Sequence, residues 1–252
     1  MKTILITGGS GRIGFQFLKH FLGNESEVII TTTNKERFLD SKQKELSVLN
    51  CDFLKIIEVD FNKESSENKI TKFLKDNNIK VTDIIHNARS IDFLKIENDK
   101  TTSKENFLGE FYLDVAFPYK LSMEILNTIP NNLENIIFIS SMYGVVAPTP
   151  SLYDDFEKSS PIQYGVAKAA QIHLVKEMAV RLGPEIRVNC ISFGGVKGRT
   201  DIKFEQRYKK LNPLNKMLNV EDVVGPIDFL ISKSSQNMTG HNLKVDGGWT
   251  LS

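Results

Sequence analysis

The 252-residue sequence has little cysteine, no long apolar run and almost no net charge. Two cysteines, Cys51 and Cys190, are too few for a disulfide framework, and the four histidines lack the spacing of metal ligands. No apolar run approaches the roughly 18 residues that a membrane span needs. A formal net charge of +1 gives no electrostatic reason to expect nucleic acid or an anionic membrane as a partner. The chain starts directly with a strand pattern, so we expect a cytoplasmic protein with no metal.

Short β-rich runs alternate with amphipathic helical patterns, and several of these runs are almost wholly apolar. This alternation is typical of a parallel sheet that helices cover on both faces. We therefore predict an α/β fold, with a single domain over residues 1–252 and a seven-stranded, doubly wound parallel sheet. A long helix is predicted over 104–129. The predicted strands are 2–7, 27–32, 55–60, 83–87, 135–140, 186–192 and 243–246.

A glycine-rich loop follows the first predicted strand and leads into an amphipathic helix. It reads Thr7-Gly8-Gly9-Ser10-Gly11-Arg12-Ile13-Gly14. A strand, a glycine loop and a helix in this order are typical of a dinucleotide site, where backbone N–H groups at a helix N-terminus bind a pyrophosphate. The predicted cofactor contacts in this loop are Gly8, Ser10, Gly11, Arg12, Ile13 and Gly14.

The end of the second strand bears on the choice between NAD and NADP. NAD sites carry an acid there, which binds the ribose hydroxyl groups. This chain has Thr31-Thr32-Thr33-Asn34-Lys35 and no acid. Hydroxyl groups with Lys35, Arg37 and Arg12 nearby favour a 2′-phosphate, so the prediction favours NADP and leaves NAD open. The alternative is that Lys35 and Arg37 belong to the solvated start of a helix. Further predicted cofactor contacts are Thr33, Asp60 and Phe61.

Tyr164 and Lys168 lie in a segment with a helical pattern that ends at Gly183-Pro184. Side chains four residues apart share one face of a helix, so an ammonium group is held beside a phenol. A nearby cation favours the phenolate, and a tyrosine in that setting exchanges a proton with an alcohol or carbonyl oxygen. The pair alone is common by chance, and its meaning depends on the motifs around it.

These motifs together resemble the short-chain dehydrogenase/reductase family, in the family's order and over essentially the whole chain. The blocks that carry the resemblance are the glycine loop, Asn87-Ala88, Ser141 with Gly144, Tyr164 with Lys168, Val188-Asn189 with Gly194-Gly195, and Thr239-Gly240 with Val245-Asp246-Gly247-Gly248-Trp249. The resemblance implies a Rossmann fold and an NAD(P)-dependent oxidoreductase that interconverts a hydroxyl and a carbonyl group. It also implies a homo-oligomer, a dimer or tetramer joined through helices 104–129 and 160–182.

The resemblance assigns roles to individual residues. Tyr164 falls on the general acid/base, Lys168 on the residue that lowers its pKa and binds the nicotinamide ribose, and Ser141 on the hydrogen-bond donor to the substrate oxygen. Asn87, Ala88, Tyr164, Lys168, Gly194 and Val196 are implied as cofactor contacts. Ser141, Tyr153 and Tyr164 are the predicted substrate contacts, of which Tyr153 lies in a segment, residues 145–160, that is longer than in the family.

The chain departs from the family pattern at several positions. Arg12 stands at the middle glycine of the loop, Arg89 follows Asn87-Ala88, and Phe193 replaces a proline. Alignment of residues 113–116 puts Ala116 at the family's catalytic asparagine, so either the proton relay is rearranged or activity is reduced or altered. Ser141 and Tyr164 are 23 positions apart, more than is usual. Residues 145–160 are therefore predicted to be an insertion that shapes the substrate pocket; the alternative is a surface insertion without contacts.

Residues 197–216 occupy the family's variable substrate lid and carry a surplus of five positive charges. Two acids, Asp201 and Glu205, stand against seven basic residues: Lys197, Arg199, Lys203, Arg207, Lys209, Lys210 and Lys216. Such a lid could attract an anionic small molecule, although a solvated amphipathic helix has the same composition.

The insertion, Asn87-Ala88-Arg89 and the sequence after Ser141 resemble a subgroup found in bacterial surface-glycan and flagellin-modification sugar pathways. We therefore predict a sugar or sugar-phosphate derivative as the substrate. Two alternatives stay open: a 3-oxoacyl-carrier-protein reductase-like enzyme, and a non-catalytic dinucleotide-binding regulatory or scaffold protein.

Overall fold

A computed structural model of the chain describes residues 1–63, 65–128, 132–198 and 200–251. Seven parallel strands form one sheet in the order β3-β2-β1-β4-β5-β6-β7. The predicted fold class is confirmed, and each predicted strand agrees with the structure to within two residues at either end. The strands are β1 (Thr3–Thr7), β2 (Glu27–Thr32), β3 (Leu54–Glu58), β4 (Asp83–His86), β5 (Asn135–Ser141), β6 (Arg187–Phe193) and β7 (Asn242–Val245).

Helices cover both faces of the sheet, and alternate residues of each strand pack on opposite sides. Leu5 and Ile29 belong to the hydrophobic core on one face, whereas Ile4 and Ile30 belong to the core on the other. In the described ranges, no helix is long and apolar enough to cross a membrane. The helices are α1 (Arg12–Gly23), α2 (Lys35–Leu46), α3 (Ser66–Asp76), α4 (Lys104–Phe111), α5 (Phe117–Thr128), α6 (Phe156–Ser159), α7 (Ile162–Leu182), α8 (Ile202–Leu211) and α9 (Val224–Ile231).

The order of the strands reverses at β1, which pairs with β2 on one side and with β4 on the other. In an open parallel sheet this reversal leaves a crevice at the carboxyl ends of the strands, where ligands bind. Thr7 ends β1 at this point. Its hydroxyl oxygen accepts hydrogen bonds from the backbone N–H groups of Asn87 (3.0 Å) and Ala88 (3.1 Å). The loop after β4 is thereby fixed beside the glycine loop.

The long helix predicted over 104–129 is interrupted between α4 and α5 by a π turn, Tyr112–Ala116; its last predicted residue lies outside the described ranges. Pro118 accounts for the interruption, because it has no N–H to donate to the carbonyl oxygen of Asp114 as an α-helix requires. The side chain of Gln171 on α7 donates to that oxygen instead, at 2.8 Å. The π turn is therefore held against α7 by a specific hydrogen bond.

The predicted insertion, residues 145–160, packs against the lid helix α8. Leu152 is fully buried in a small core with Met142 and Tyr208. Arg207 of α8 donates a hydrogen bond to the carbonyl oxygen of Leu152 (2.8 Å) and pairs with Asp154 (2.6 Å). The insertion is therefore fixed against the lid helix, and its role in shaping the substrate pocket stays a prediction. Of the predicted lid, 197–216, the basic residue Arg199 lies outside the part of the chain that the structure describes.

Candidate active site

A cleft of about 1170 Å³ opens at the carboxyl edge of the sheet. It brings together residues from the glycine loop, from the ends of β2, β4, β5 and β6, and from α7. Gly14 and Tyr153 are the two predicted site residues that do not line it. Those that line it are Gly8, Ser10, Gly11, Arg12, Ile13, Thr33, Asp60, Phe61, Asn87, Ala88, Ser141, Tyr164, Lys168, Gly194 and Val196.

The glycine loop owes its shape to close backbone approaches. Gly8 has a φ of +65°, and a Cβ there would lie 2.7 Å from the Cα of Ala88. A Cβ on Gly14 would lie 2.4 Å from the carbonyl oxygen of Gly8, so this glycine lies behind the loop and allows α1 to pack against it. The side-chain amide of Asn87 donates to the carbonyl oxygens of Thr7 (3.3 Å) and Gly8 (3.2 Å). The result is a narrow cradle of backbone at the N-terminus of α1, which suits a pyrophosphate.

Arg12 lies across the cleft. Its guanidinium group donates to the carbonyl oxygen of Val196 at 3.0 Å, on the β6 side of the sheet. The sequence grouped Arg12 with Lys35 and Arg37 around a phosphate at the end of β2; the contact of Arg12 with Val196 lies on the other half of the sheet, and its role toward a phosphate stays a prediction. The arginine side chain is long enough to cross from one half of the sheet to the other. Arg37 lines the same cleft, as do Thr31, Thr32 and Thr33 at the end of β2.

Ser141 ends β5, and its side chain is buried at the base of the cleft. Its hydroxyl oxygen accepts a hydrogen bond from the backbone N–H of Tyr143 at 3.2 Å, which leaves the hydroxyl proton free to point elsewhere. Gly144 lies directly against α7, because a Cβ on it would lie 2.7 Å from the carbonyl carbon of Lys168. The missing side chain at Gly144 thus brings the end of β5 next to the helix turn that carries Tyr164 and Lys168.

Two cations face the ring of Tyr164. The guanidinium carbon of Arg89 lies 4.3 Å from the ring centroid, and the Nζ atom of Lys168 lies 5.9 Å from it. Arg89 comes from the loop after β4 and replaces the last residue of the family's motif there. Guanidinium groups favour the face of an aromatic ring, so the stacking of Arg89 on Tyr164 is a stable contact. The residue that departs from the family motif is therefore part of the site.

Lys168 is buried, and its ammonium group has two partners inside the protein. Nζ donates to the Oδ1 atom of Asp114 at 2.9 Å and to the carbonyl oxygen of Ile139 at 3.0 Å. An ammonium group has three N–H donors, so these two contacts leave one for a ligand in the cleft. The prediction that Ala116 stands at the relay position is wrong, because Asp114 is the residue of the π turn whose side chain contacts the lysine.

Glu110 lies one helical turn before Asp114 and is 1% exposed. Burial, and to a lesser extent the charge of Asp114, raises the pKa of Glu110 to about 7, although the charges of Arg89 and Lys168 lower it. Neither carboxylate oxygen of Glu110 has a hydrogen-bond partner among the described residues, and the same holds for Oδ2 of Asp114 and Oε1 of Gln171. Four buried oxygen atoms without partners therefore lie behind Lys168.

Glu110 is not among the residues predicted from the sequence, and no role was predicted for Asp114. The available signal was a pair of acids four residues apart on a helix that packs through apolar residues. Buried acids of this kind are rare unless they are paired, so their position in an apolar pattern indicates a specific environment.

Tyr153 lies in the wall between the insertion and the lid. Its hydroxyl group is 2.6 Å from the hydroxyl of Tyr143, and its ring packs edge-on against Phe204 of α8. On the same wall, the hydroxyl oxygen of Tyr208 accepts a hydrogen bond from the backbone N–H of Gly195 at 2.9 Å. The insertion and the lid are thus joined to the strand ends that form the cleft. Tyr153 supports this wall from behind.

No three His, Cys, Asp or Glu side chains in the described parts of the chain are grouped so that they could hold a metal ion. The cleft itself holds polar side chains that can take part in acid–base chemistry. A hydroxyl, a phenol and a buried ammonium group converge there beside a cradle for a dinucleotide, which is a suitable arrangement for proton exchange with a substrate oxygen.

Comparison with known proteins agrees with this geometry. Residues 10–250 match the family model described as enoyl-(acyl carrier protein) reductase. The chain is 29% identical to post-translational flagellin modification protein A of Campylobacter coli, over 99% of this chain and 98% of that protein. It is 26% identical to D-arabinitol 2-dehydrogenase [ribulose-forming] of Candida albicans, over 98% and 92%. A short-chain dehydrogenase from Leptospira borgpetersenii, solved with bound NAD+, has a TM-score of 0.81 and 28% identity, over 99% of this chain and 92% of that one.

The fold and the matched family model define an oxidoreductase of the dehydrogenase/reductase type. The chain belongs to the short-chain dehydrogenase/reductase family. The likeness to flagellin modification protein A agrees with the subgroup to which the sequence motifs pointed.

Proposed function

We propose that Ser141, Tyr164 and Lys168 are the catalytic residues of an NAD(P)-dependent enzyme that interconverts a hydroxyl and a carbonyl group. The observation that carries this proposal is their convergence in one cleft, from the end of β5 and from adjacent turns of α7. A bound nicotinamide cofactor supplies or accepts the hydride. The cradle formed by Gly8, Gly14 and the start of α1 fits its pyrophosphate, because a side chain at either glycine would collide with neighbouring backbone.

Ser141, Tyr164 and Lys168 have separate roles in binding the substrate oxygen, transferring its proton and binding the cofactor. The hydroxyl of Ser141 donates a hydrogen bond to the substrate oxygen. The phenol of Tyr164 gives a proton to that oxygen when a carbonyl is reduced, and takes one when an alcohol is oxidised. The free N–H of Lys168 binds a ribose hydroxyl and keeps a positive charge near the phenol. The bond from Lys168 to Asp114 fixes the position of the ammonium group.

We propose NADP as the preferred cofactor. No acid ends β2, and three threonines and Arg37 line the cleft there. We expect NADPH to bind more tightly than NADH. Arg37→Gln should weaken NADPH binding by about 10- to 100-fold, which is the value of a hydrogen bond to a charged group. Fluorescence titration of NADPH and NADH measures both affinities.

Lys35→Gln is the matched control, because Lys35 lies two residues away and does not line the cleft. It should leave both affinities nearly unchanged. Tighter binding of NADH than of NADPH to the unmodified protein would contradict the preference for NADP.

We propose a sugar or sugar-phosphate derivative as the substrate. The similarity to flagellin modification protein A and to a D-arabinitol dehydrogenase supports a polyhydroxylated substrate. Six positive charges among the described residues of the lid support an anionic group on it. A second candidate, an acyl thioester, has support from the description of the matched family model.

A panel of substrates tests this proposal and should show turnover with a sugar or sugar phosphate. Oxidation of NADPH and reduction of NADP+ would be followed with polyols, sugars, sugar phosphates, nucleotide-linked sugars and short acyl thioesters. A higher kcat/KM for the thioesters would favour the second candidate. An absence of turnover with every class, for a protein that binds the dinucleotide, would favour a non-catalytic role.

Assembly into a dimer or tetramer through α4, α5 and α7 stays a prediction. Exposed apolar side chains on these helices support it, among them Leu108, Phe111, Ile162, Val166 and Val180.

A further inference from the structure

Arg89 places a positive charge at the end of the cleft where Tyr164 lies. It belongs to the loop after β4, is exposed and lines the cleft. Its guanidinium carbon lies 4.3 Å from the centroid of the Tyr164 ring. Arg89 makes no hydrogen bond and no ion pair with any residue that the structure describes. The N–H donors of this guanidinium group are therefore available to a ligand in the cleft.

Two acids close to Arg89, one in the chain and one in space, do not bond to it. The carboxylate of Asp92 accepts a hydrogen bond from the hydroxyl of Ser90 at 2.6 Å. Glu110 is close enough for the charge of Arg89 to act on it, but neither of its carboxylate oxygens has a hydrogen-bond partner among the described residues. The guanidinium group of Arg89 therefore keeps its capacity to bind an anion.

The other cations that line the cleft have different surroundings. Arg12 is bonded to a carbonyl oxygen on the β6 side, and Lys168 is held by an aspartate and a carbonyl oxygen. Arg37 belongs to α2, next to the end of β2, where the adenosine half of a dinucleotide binds. None of the described residues of the lid, 197–216, lines the cleft. Within the described ranges, Arg89 is the cation beside Tyr164 that has no hydrogen-bond partner in the protein.

We propose that Arg89 binds an oxyanion of the substrate, a carboxylate or a phosphate group, and thereby selects substrates with an acidic group close to the reacting carbon. The proposal rests on the function proposed above and names the part of the substrate that the cleft recognises. A guanidinium group binds either oxyanion through two parallel N–H···O bonds, and such charge-assisted bonds are about twice as strong as neutral ones.

The contact with Tyr164 determines where the acidic group lies in the substrate. The proposed proton donor and the guanidinium group are in contact, so a small molecule bound by both has few bonds between its carbonyl and its oxyanion. A 2-hydroxy acid or a phosphate ester next to a hydroxyl-bearing carbon has this arrangement. A long acyl chain with its charge at the far end does not.

The loop that carries Arg89 does not depend on this side chain for its shape. The hydroxyl oxygen of Thr7 fixes the loop by accepting hydrogen bonds from the backbone N–H groups of Asn87 and Ala88. The family motif ends in glycine at this position, so the loop can form without a side chain here. Variants of Arg89 should therefore fold, and their effects report ligand binding.

Arg89→Met is the test, because methionine keeps an extended side chain against the Tyr164 ring and removes the charge and the N–H donors. The probes are glycerate, glycerol 3-phosphate and glycerol, which share three carbons and differ in the acidic group. Each is titrated by ligand-observed NMR into the protein with its tighter-binding nicotinamide cofactor, NADP+ or NAD+. Arg89→Met should weaken binding of glycerate, glycerol 3-phosphate or both by about 10- to 100-fold, the value of a hydrogen bond between charged groups. Binding of glycerol should not change.

Two further variants separate charge from shape. Arg89→Lys keeps the charge and loses the fork of donors, so its affinity for the anions should lie between those of the unmodified protein and Arg89→Met. Lys95→Met is the matched control, because Lys95 is an exposed cation of the same loop that does not line the cleft. It should leave the affinity for all three probes unchanged. The anion that loses more affinity in Arg89→Met identifies the oxyanion as carboxylate or phosphate.

Several results would overturn the proposal. One is a lack of preference of the unmodified protein for either anion over glycerol, and another is equal weakening of anions and glycerol in Arg89→Met. A third is weaker cofactor binding in Arg89→Met with unchanged affinity for the anions, which would place Arg89 on a phosphate of the cofactor. Anion binding that depends on Arg89, in a protein that turns over no substrate class of the panel, would support the anion site and refute the proposed function alone.

Discussion

Replacing Tyr164 with phenylalanine is expected to lower kcat by about 10²- to 10⁴-fold, the contribution usual for a positioned general acid or base. Phenylalanine keeps the ring that stacks under Arg89, 4.3 Å from the guanidinium carbon, and removes only the hydroxyl group. The cleft should therefore keep its shape and its affinity for the dinucleotide. Steady-state kinetics with the best substrate of the panel measures the loss, and fluorescence titration measures cofactor binding.

Tyr153→Phe is the matched control for this variant. Tyr153 also carries a hydroxyl group, on a half-buried side chain that does not line the cleft, and that group bonds to Tyr143. Its loss should change kcat far less than the loss of the Tyr164 hydroxyl. Equal activity of Tyr164→Phe and the unmodified protein would refute the assignment of Tyr164 as the proton donor.

Replacing Asp114 with alanine is expected to lower the free energy of unfolding by about 3–5 kcal/mol, the usual cost of removing one partner from a buried ion pair. The Lys168 ammonium would keep its bond to the carbonyl oxygen of Ile139 and lose its countercharge in a buried position. The hydrogen bond from Gln171 should survive, because it is made to the backbone of residue 114. Urea unfolding of the protein without ligands measures the difference.

Asp114→Asn is the control for this prediction, because its amide oxygen can still accept from Lys168. It should cost clearly less than the alanine variant. If the alanine variant were as stable as the unmodified protein, the prediction would be wrong. The contact between Asp114 and Lys168 would then contribute little to the stability of the fold.

Much of the fold was accessible from the sequence because its physical cause is local. Buried parallel strands must be apolar on both faces, so runs such as 136–139 are visible without any knowledge of tertiary structure. The glycine loop was accessible for a similar reason. Gly8 adopts a positive φ and approaches the neighbouring backbone too closely for a side chain, and only glycine meets both demands.

The remainder of the site depends on contacts between distant segments. The register of the π turn is set by Pro118 and by Gln171 from another helix, so counting along the sequence put Ala116 where Asp114 stands. The direction of Arg12 could not be predicted because a long side chain can reach either half of the sheet, and its contact with Val196 joins residues that are distant in the chain. The character of Glu110 likewise depends on burial by elements that are remote in the chain.

The bonds from Thr7 to the backbone of Asn87 and Ala88 have a consequence for how the protein folds. They lie at the seam between β1 and β4, where the first three strands join the last four. The glycine loop and Tyr164 lie on opposite sides of this seam and are at least 150 positions apart in the chain. Contacts of such long range form slowly, because the loop between them must be closed first. The cleft is therefore completed only when both halves of the sheet have joined, and recovery of activity after denaturation reports that last step.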